Sequence, residues 1–165
     1  MYNLYSNNLK YEPISVKHCS DEYVSWLNDE DVNKYLESGG DYDLNKLKRY
    51  LMNHEKKQTF FWAIFIKNKN KHIGNIKIDP IDSKLKSGEY GIMIGDKSEW
   101  GNGYAYEASD FIIKYCFSKL ELNQIKLGVI KENLHAVRLY KKLGFKICEN
   151  VFENSDSYIM IKKNG

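Results

Sequence analysis

Apolar and polar positions along the chain change period several times, and each change predicts an element. Leu9 to Val16 reads as a first strand, with Pro13 pointing to an edge position. Ser20 is a good N-cap, and Asp21 and Glu22 follow it, so a helix is expected through Leu27. Asp43 caps a second helix in which Leu44, Leu47, Tyr50 and Leu51 share one face. The period then falls to two. Thr59 to Ile66 and His72 to Asp79 are β-branched and aromatic, with Asn68 and Asn70 between them, which predicts a hairpin that Pro80 stops. In the next run Tyr90, Ile92 and Ile94 alternate with Glu89, Gly91 and Met93, so Glu89 and Met93 share a face. A long helix from Tyr106 to Leu120 should bury Phe111, Ile112, Tyr115 and Leu120. Lys126 to Ile130 is a short strand. Asn133 caps a last helix, and Gly144 ends it. Phe145 to Phe152 and Tyr158 to Ile161 close the chain as paired strands around Asn154-Ser155-Asp156.

This order gives seven strands and four helices in one domain, residues 1–165. It predicts an α/β chain of the α+β kind, a mixed sheet covered by helices. It is not a doubly wound nucleotide fold, which would carry its glycine motif in the first βα turn. Here Gly101 and Gly103 follow the fourth strand and precede a helix. A strand, a glycine loop and a helix start make an anion site. The glycines let backbone N–H groups approach a phosphate, and the helix end adds partial positive charge. The same residues would also serve as a tight turn that binds nothing.

Composition narrows the function classes. No apolar run reaches the roughly 20 residues of a membrane helix. Met1 to Lys10 is polar, so no secretory signal is expected. Cys19, Cys116 and Cys148 are too far apart for a metal motif and read as free thiols, so a cytoplasmic protein is expected. The net charge is +3, and Arg49 and Arg138 are the only arginines. Lys67, Lys69 and Lys71 read as a solvated hairpin turn rather than a nucleic-acid face. No serine sits in a G-x-S-x-G elbow, and no His, Cys or Asp set has zinc spacing.

Asn133 and Tyr140 stand seven residues apart on the last helix, ~10.5 Å along one side, close enough to touch one extended ligand. With the glycine loop, this segment carries a resemblance. Trp100-Gly101-Asn102-Gly103-Tyr104-Ala105 is similar to the pyrophosphate loop Q/R-x-x-G-x-G/A of the GNAT superfamily of acyl-CoA-dependent N-acyltransferases. Trp100 stands where that motif has Gln or Arg, as in the W-G-x-G-Y-A-x-E-A form of the subgroup resembling ribosomal-protein N-terminal acetyltransferases. Asn133, Ala136, Tyr140 and Leu143-Gly144-Phe145 match the family's second segment. Order and spacing agree along nearly the whole chain.

The resemblance implies a sheet in which parallel strands 4 and 5 splay apart, with acetyl-CoA as donor and a primary amine as acceptor. Loop amides from Gly101 through Asn102, Gly103, Tyr104 and Ala105 to Tyr106 would bind the pyrophosphate. The pantetheine arm would pair with the backbone of Ile92, Met93 and Ile94, and Asn133 would add a side-chain bond. A backbone N–H near Met93 or Ile94 would meet the oxyanion. The Tyr140 hydroxyl would protonate the leaving thiolate. Glu89 is the best-placed base, directly or through water. As a strand-end carboxylate it would equally pair with Lys84 or Lys86. His72 and His135 are weaker candidates, and no metal is expected.

For the acceptor, Trp26, Asn28 and Tyr35 are candidate contacts, although Trp26 and Tyr35 fit a core equally well. The segments Trp26-Leu27-Asn28-Asp29 and Val32-Asn33-Lys34-Tyr35-Leu36 look similar to acetyltransferases of surface-glycan pathways, which act on nucleotide-linked amino sugars. A protein N-terminal amine is the rival acceptor, and a non-catalytic acyl-CoA sensor the rival class. Either a monomer or a homodimer is compatible with the sequence.

Overall fold

The computed structural model describes residues 2–36, 40–148 and 155–165. Within them, eight strands form one sheet: β1 (Leu4–Tyr5), β2 (Leu9–Pro13), β3 (Phe60–Ile66), β4 (Lys71–Asp82), β5 (Ser87–Ile94), β6 (Gln124–Ile130), β7 (Lys146–Ile147) and β8 (Ser157–Lys163). The helices are α1 (Asp21–Asn28), α2 (Glu30–Asn33), α3 (Leu44–Lys57), α4 (Tyr104–Lys119) and α5 (Leu134–Lys142). The spatial order of strands is β1-β2-β3-β4-β5-β6-β8-β7. Every neighbouring pair is antiparallel except β5–β6.

The sheet separates two apolar cores. On one face α4 and α5 cover Ile76, Ile78, Tyr90, Ile125, Leu127 and Met160. On the other, α1 and α3 cover Phe61 and Ala63 with Trp26, Leu47 and Leu51. Strand alternation decides which residue goes where: Ile92 and Ile94 join the first core and Met93 the second. No helix among the described residues is long and apolar enough to cross a membrane.

The expected caps form. Ser20 Oγ accepts from the Tyr23 N–H at 3.1 Å, and Asp43 Oδ1 accepts from the Lys46 N–H at 2.6 Å. Several expectations need correction. Strand β2 ends at Pro13, because Val16 begins a short 3-10 turn. It lies between β1 and β3 rather than at an edge, but β1 reaches only Lys10 and Tyr11, so Pro13 has a single neighbouring strand. Pro80 does not stop β4, which runs on to Asp82; the missing N–H falls where the β4–β5 register shifts between Ile78 and Ile81. Leu44 is exposed, as the first helical residue after its cap. Helix α4 starts at Tyr104 and buries Ala108, Ser109, Ile112, Ile113 and Cys116, leaving Phe111, Tyr115 and Leu120 half-buried. β1 and α2 are too short to show a period. Phe152 and Asn154 of the expected closing strands lie outside the described residues.

Candidate active site

Strands β5 and β6 pair at only three positions, Ser87–Gln124, Gly88–Ile125 and Glu89–Lys126. Beyond Glu89 they separate, while β5 stays on β4 through Ile94. This leaves a wedge-shaped gap with a free strand edge. On the β4 side, the Gly95 N–H donates to the Ile73 carbonyl at 2.9 Å. Ladder alternation then turns the peptide groups of Met93 toward Asn75 and those of Ile92 and Ile94 toward the gap. Ile92 and Ile94 are therefore edge groups, as expected from sequence. Met93 is not: its backbone is committed to β4, and its side chain packs against the second core.

At the outer end of the gap lies the glycine loop. Gly101 and Gly103 have φ of +78° and +81°, and a Cβ built on either would meet nothing within 4 Å. Gly103 is the N-cap of α4 and offers no side chain to it, so the first-turn N–H groups of Tyr104, Ala105 and Tyr106 face open space. That is a cradle for an anion. The Lys142 ammonium stands 4.5 Å from the Tyr106 ring centroid and adds a cation at the same mouth. Trp100 is 45 % exposed, and its indole N–H donates to the Ile94 carbonyl at 2.8 Å. The ring thus ties the loop to the free strand edge.

Two carboxylates that sequence reasoning passed over hold this loop. Glu99 is buried, ion-pairs with Lys69 and Lys71 at 3.2 Å each, and accepts from Asn102 Nδ2 at 3.3 Å. Those ammonium partners hold its carboxyl below the usual range. The lysines sit in and beside the exposed β3–β4 turn expected from sequence, and Lys71 also pairs with Asp96, so Lys69 and Lys71 brace the loop as well. Glu107 accepts from Ser6 Oγ and the Asn8 N–H, both at 2.6 Å, and from Asn8 Nδ2 at 2.9 Å. Burial pushes its carboxyl up, and these donors outweigh that and hold it low. The Glu of the W-G-x-G-Y-A-x-E-A pattern is an anchor for the start of α4.

Tyr140 lies along the inner wall of the gap. Its ring is buried between Tyr90 and Phe145, with centroids 5.7 and 6.0 Å away. Burial pushes its phenol up to about 12, so it is a proton donor at neutral pH. Its hydroxyl has no hydrogen-bond partner among the described residues. The C-terminus of α5 holds the ring in place. The Phe145 N–H donates to the Tyr140 carbonyl at 2.9 Å and the Gly144 N–H to the Lys141 carbonyl at 3.0 Å, a Schellman closure with Gly144 at φ +88°. Asn133 Oδ1 caps α5 by accepting from the Ala136 N–H at 3.2 Å. That bond takes up the Ala136 N–H and leaves the Asn133 Nδ2 group without a hydrogen-bond partner among the described residues.

Glu89 sits at the fork of the gap. Its Oε2 is 3.6 Å from Lys126 Nζ, with both side chains about half exposed. A pair that long and that wet holds the carboxylate only weakly. The partner is Lys126, not Lys84 or Lys86.

The proposed acceptor contacts divide. Trp26 is 6 % exposed and lies against Gly95, where a Cβ would come within 2.3 Å of its ring; it is a packing residue, not an open stacking surface. Asn28 uses both ends of its amide on the Tyr42 backbone, at 2.8 and 2.9 Å, and is a structural clamp. Tyr35 stays half-buried with the Lys34 ammonium 5.1 Å from its centroid. His72 is half-buried among Trp26, Tyr23 and Phe65, and His135 is exposed. Among the described residues no set of His, Cys, Asp and Glu converges on a metal position.

Comparison with known proteins agrees with this geometry. The family described as acetyltransferase (GNAT) domain matches residues 8–146. The chain is 26 % identical over 150 residues to the uncharacterised N-acetyltransferase p20 of Bacillus licheniformis, covering 88 % of this chain and 83 % of that protein. A GNAT-family acetyltransferase structure from Bacillus anthracis superimposes with a TM-score of 0.82 at 19 % identity, covering 98 % of both chains. Spermidine N-acetyltransferase from Vibrio cholerae, solved with CoA and spermine, gives a TM-score of 0.80 at 21 % identity, covering 96 % of both. At such identities the structural matches establish the fold alone.

Proposed function

Because this chain belongs to the acetyltransferase (GNAT) domain family, we propose that it moves an acetyl group from acetyl-CoA to a primary amine by direct attack on the thioester. The observation that carries the reading is a Tyr140 hydroxyl with no hydrogen-bond partner among the described residues, beside a strand-edge gap that ends in an anion cradle. Acetyl-CoA supplies an acetyl group activated as a thioester. The amides of Gly101 to Tyr106 hold its pyrophosphate, with the Lys142 ammonium at the mouth of the cradle. The edge groups of Ile92 and Ile94 take the amides of the arm as an added strand would, and Asn133 Nδ2 donates farther along. An edge N–H, that of Ile92 or Ile94, is the donor for the developing oxyanion. Tyr140 gives its proton to the leaving sulfur. Glu89 takes the proton that the acceptor ammonium must lose, directly or through water.

The acceptor in this reading is a small amine, with a nucleotide-linked amino sugar as the leading class. A protein N-terminal amine is the rival. The decisive experiment measures thiol release from acetyl-CoA with nucleotide amino sugars, N-terminal peptides, polyamines and aminoglycosides. Acetylation of one class above the hydrolysis rate is expected. Tight coenzyme A binding with no transfer to any amine would make the chain a non-catalytic acyl-CoA sensor.

A further inference from the structure

A recess of about 490 Å³ lies at the closed end of the parallel pair, between the β4–β5 turn and β6. Its wall includes Lys84, Leu85, Ser83, Ser87 and Lys126. Lys126 is the residue that also faces Glu89, so the recess opens onto the fork where the acceptor amine must arrive. Two further observations mark it as more than a surface dent. Ser87 is only 5 % exposed, yet its hydroxyl makes no hydrogen bond among the described residues and is not sealed off. Leu85 is 63 % exposed beside Pro80 and Ile81, an apolar plate left without cover.

The charge balance sets the ligand class. Asp82 is the one carboxylate in the wall, and its Oδ1 already accepts from the N–H groups of Lys84 and Leu85 at 2.9 and 3.0 Å. The wall keeps a net positive charge: Lys84 has no ion-pair partner among the described residues, Lys126 is held only at 3.6 Å by Glu89, and Ser83 and Ser87 add two hydroxyls. We propose that this recess is the outer part of the acceptor site and takes a phosphate-bearing end of the amine substrate. The proposal rests on the acetyl-transfer reading above. Ser87 lies two residues from Glu89 on the same face of β5, so amine and phosphate would be separated by about 7 Å along the strand. A polyamine would place a second cation against Lys84 and Lys126 and is disfavoured.

The test uses amines that differ only in phosphate: glucosamine 6-phosphate against glucosamine, and a nucleotide-linked amino sugar against the free sugar. The phosphorylated member is expected to show a KM lower by about tenfold, and Lys84→Gln to remove most of that difference while leaving the KM for acetyl-CoA in place. Equal KM values, or a preference untouched by Lys84→Gln, would overturn the proposal. In parallel, inorganic pyrophosphate is added to the protein saturated with coenzyme A, so that the glycine loop is already filled. Amide resonances of residues 83–87 are expected to shift in the wild type and not in Lys84→Gln. Unshifted amides sink the subsite even if amines are acetylated. Shifted amides without acetylation of any amine leave the subsite standing and sink the acetyl-transfer reading.

Discussion

The rings of Tyr90 and Tyr140 meet edge to face, with centroids 5.7 Å apart and planes at 84°. Tyr90 is the first residue of β5 past the last parallel pair, so this contact sets α5 against the point where β5 and β6 part. The two phenols differ in one respect. The Tyr90 hydroxyl is tied to Ser109 Oγ inside the core, whereas the Tyr140 hydroxyl has no hydrogen-bond partner among the described residues. Tyr90 is structural, and Tyr140 is the one to which the proposed mechanism gives a proton transfer.

Tyr140→Phe keeps the ring between Tyr90 and Phe145 and removes only the hydroxyl. Thiol release should fall by about 10²–10⁴-fold, with acetyl-CoA affinity and melting temperature nearly unchanged. The pH profile adds a second check. With its phenol at about 12, Tyr140 stays protonated through the working range, so the wild-type rate should rise as the acceptor amine deprotonates and show no falling limb below pH 10. An unchanged kcat in Tyr140→Phe would remove this residue from the mechanism.

Gly103→Ala separates the loop's conformation from its ligand. The φ of +81° strains any residue with a Cβ, at a cost of about 1 kcal/mol, although the added methyl touches nothing in the protein. The same methyl projects into the space over the first-turn amides of α4. The affinity for coenzyme A, read by calorimetry, should therefore drop by about tenfold or more, beyond what the small loss in melting temperature accounts for. A loss of stability with affinity intact would show that the cradle does not hold the ligand.

The glycine loop and the Asn133–Phe145 segment were legible in the sequence because their chemistry is local. A positive φ, an N-cap and a Schellman closure each follow from a few adjacent residues. The gap itself was not legible from periodicity, because alternation says which face a residue takes and nothing about where a neighbouring strand departs; the resemblance supplied it. Two of the acceptor candidates turn out to be engaged within the fold, for a related reason. Asn28 and Trp26 read as polar and aromatic residues near a site, but Tyr42 claims the first and Gly95 leaves room for the second. Both partners lie more than ten residues away. Glu99 and Glu107 were missed because their partners, Lys69, Lys71, Ser6 and Asn8, come from distant strands and turns.

Glu107 should matter for folding rather than for binding. Glu107→Ala leaves the Ser6 hydroxyl and two Asn8 donors without their acceptor at the start of α4. A loss of about 1–3 kcal/mol is expected in urea unfolding. At a temperature where the variant is folded, its affinity for coenzyme A should match the wild type. A selective loss of affinity would place Glu107 in the ligand site instead.

His72 gives the fold an acid limit. Its Nε2–H is shared between the Gly74 carbonyl at 3.0 Å and Asn75 Oδ1 at 3.1 Å, and its ring packs 5.0 Å from that of Trp26. Burial lowers its pKa from 6.5 to about 4, so the folded chain resists the proton that the unfolded chain accepts. Between those two values the unfolded state binds more protons, and stability falls as the pH falls. The contribution is whole above 6.5 and lost on the way down to about 4, a change of about 3 kcal/mol. Urea midpoints measured from pH 7.5 to pH 4.5 should show this slope, and His72→Gln, which keeps a donor but cannot titrate, should flatten it. Because Trp26 also lies on Gly95 at the end of β5, the same proton loosens the strand edge on which the proposed donor would lie. Affinity for coenzyme A should therefore decline in the same pH window in the wild type and hold in His72→Gln. A slope that survives the substitution would assign the acid limit to other groups.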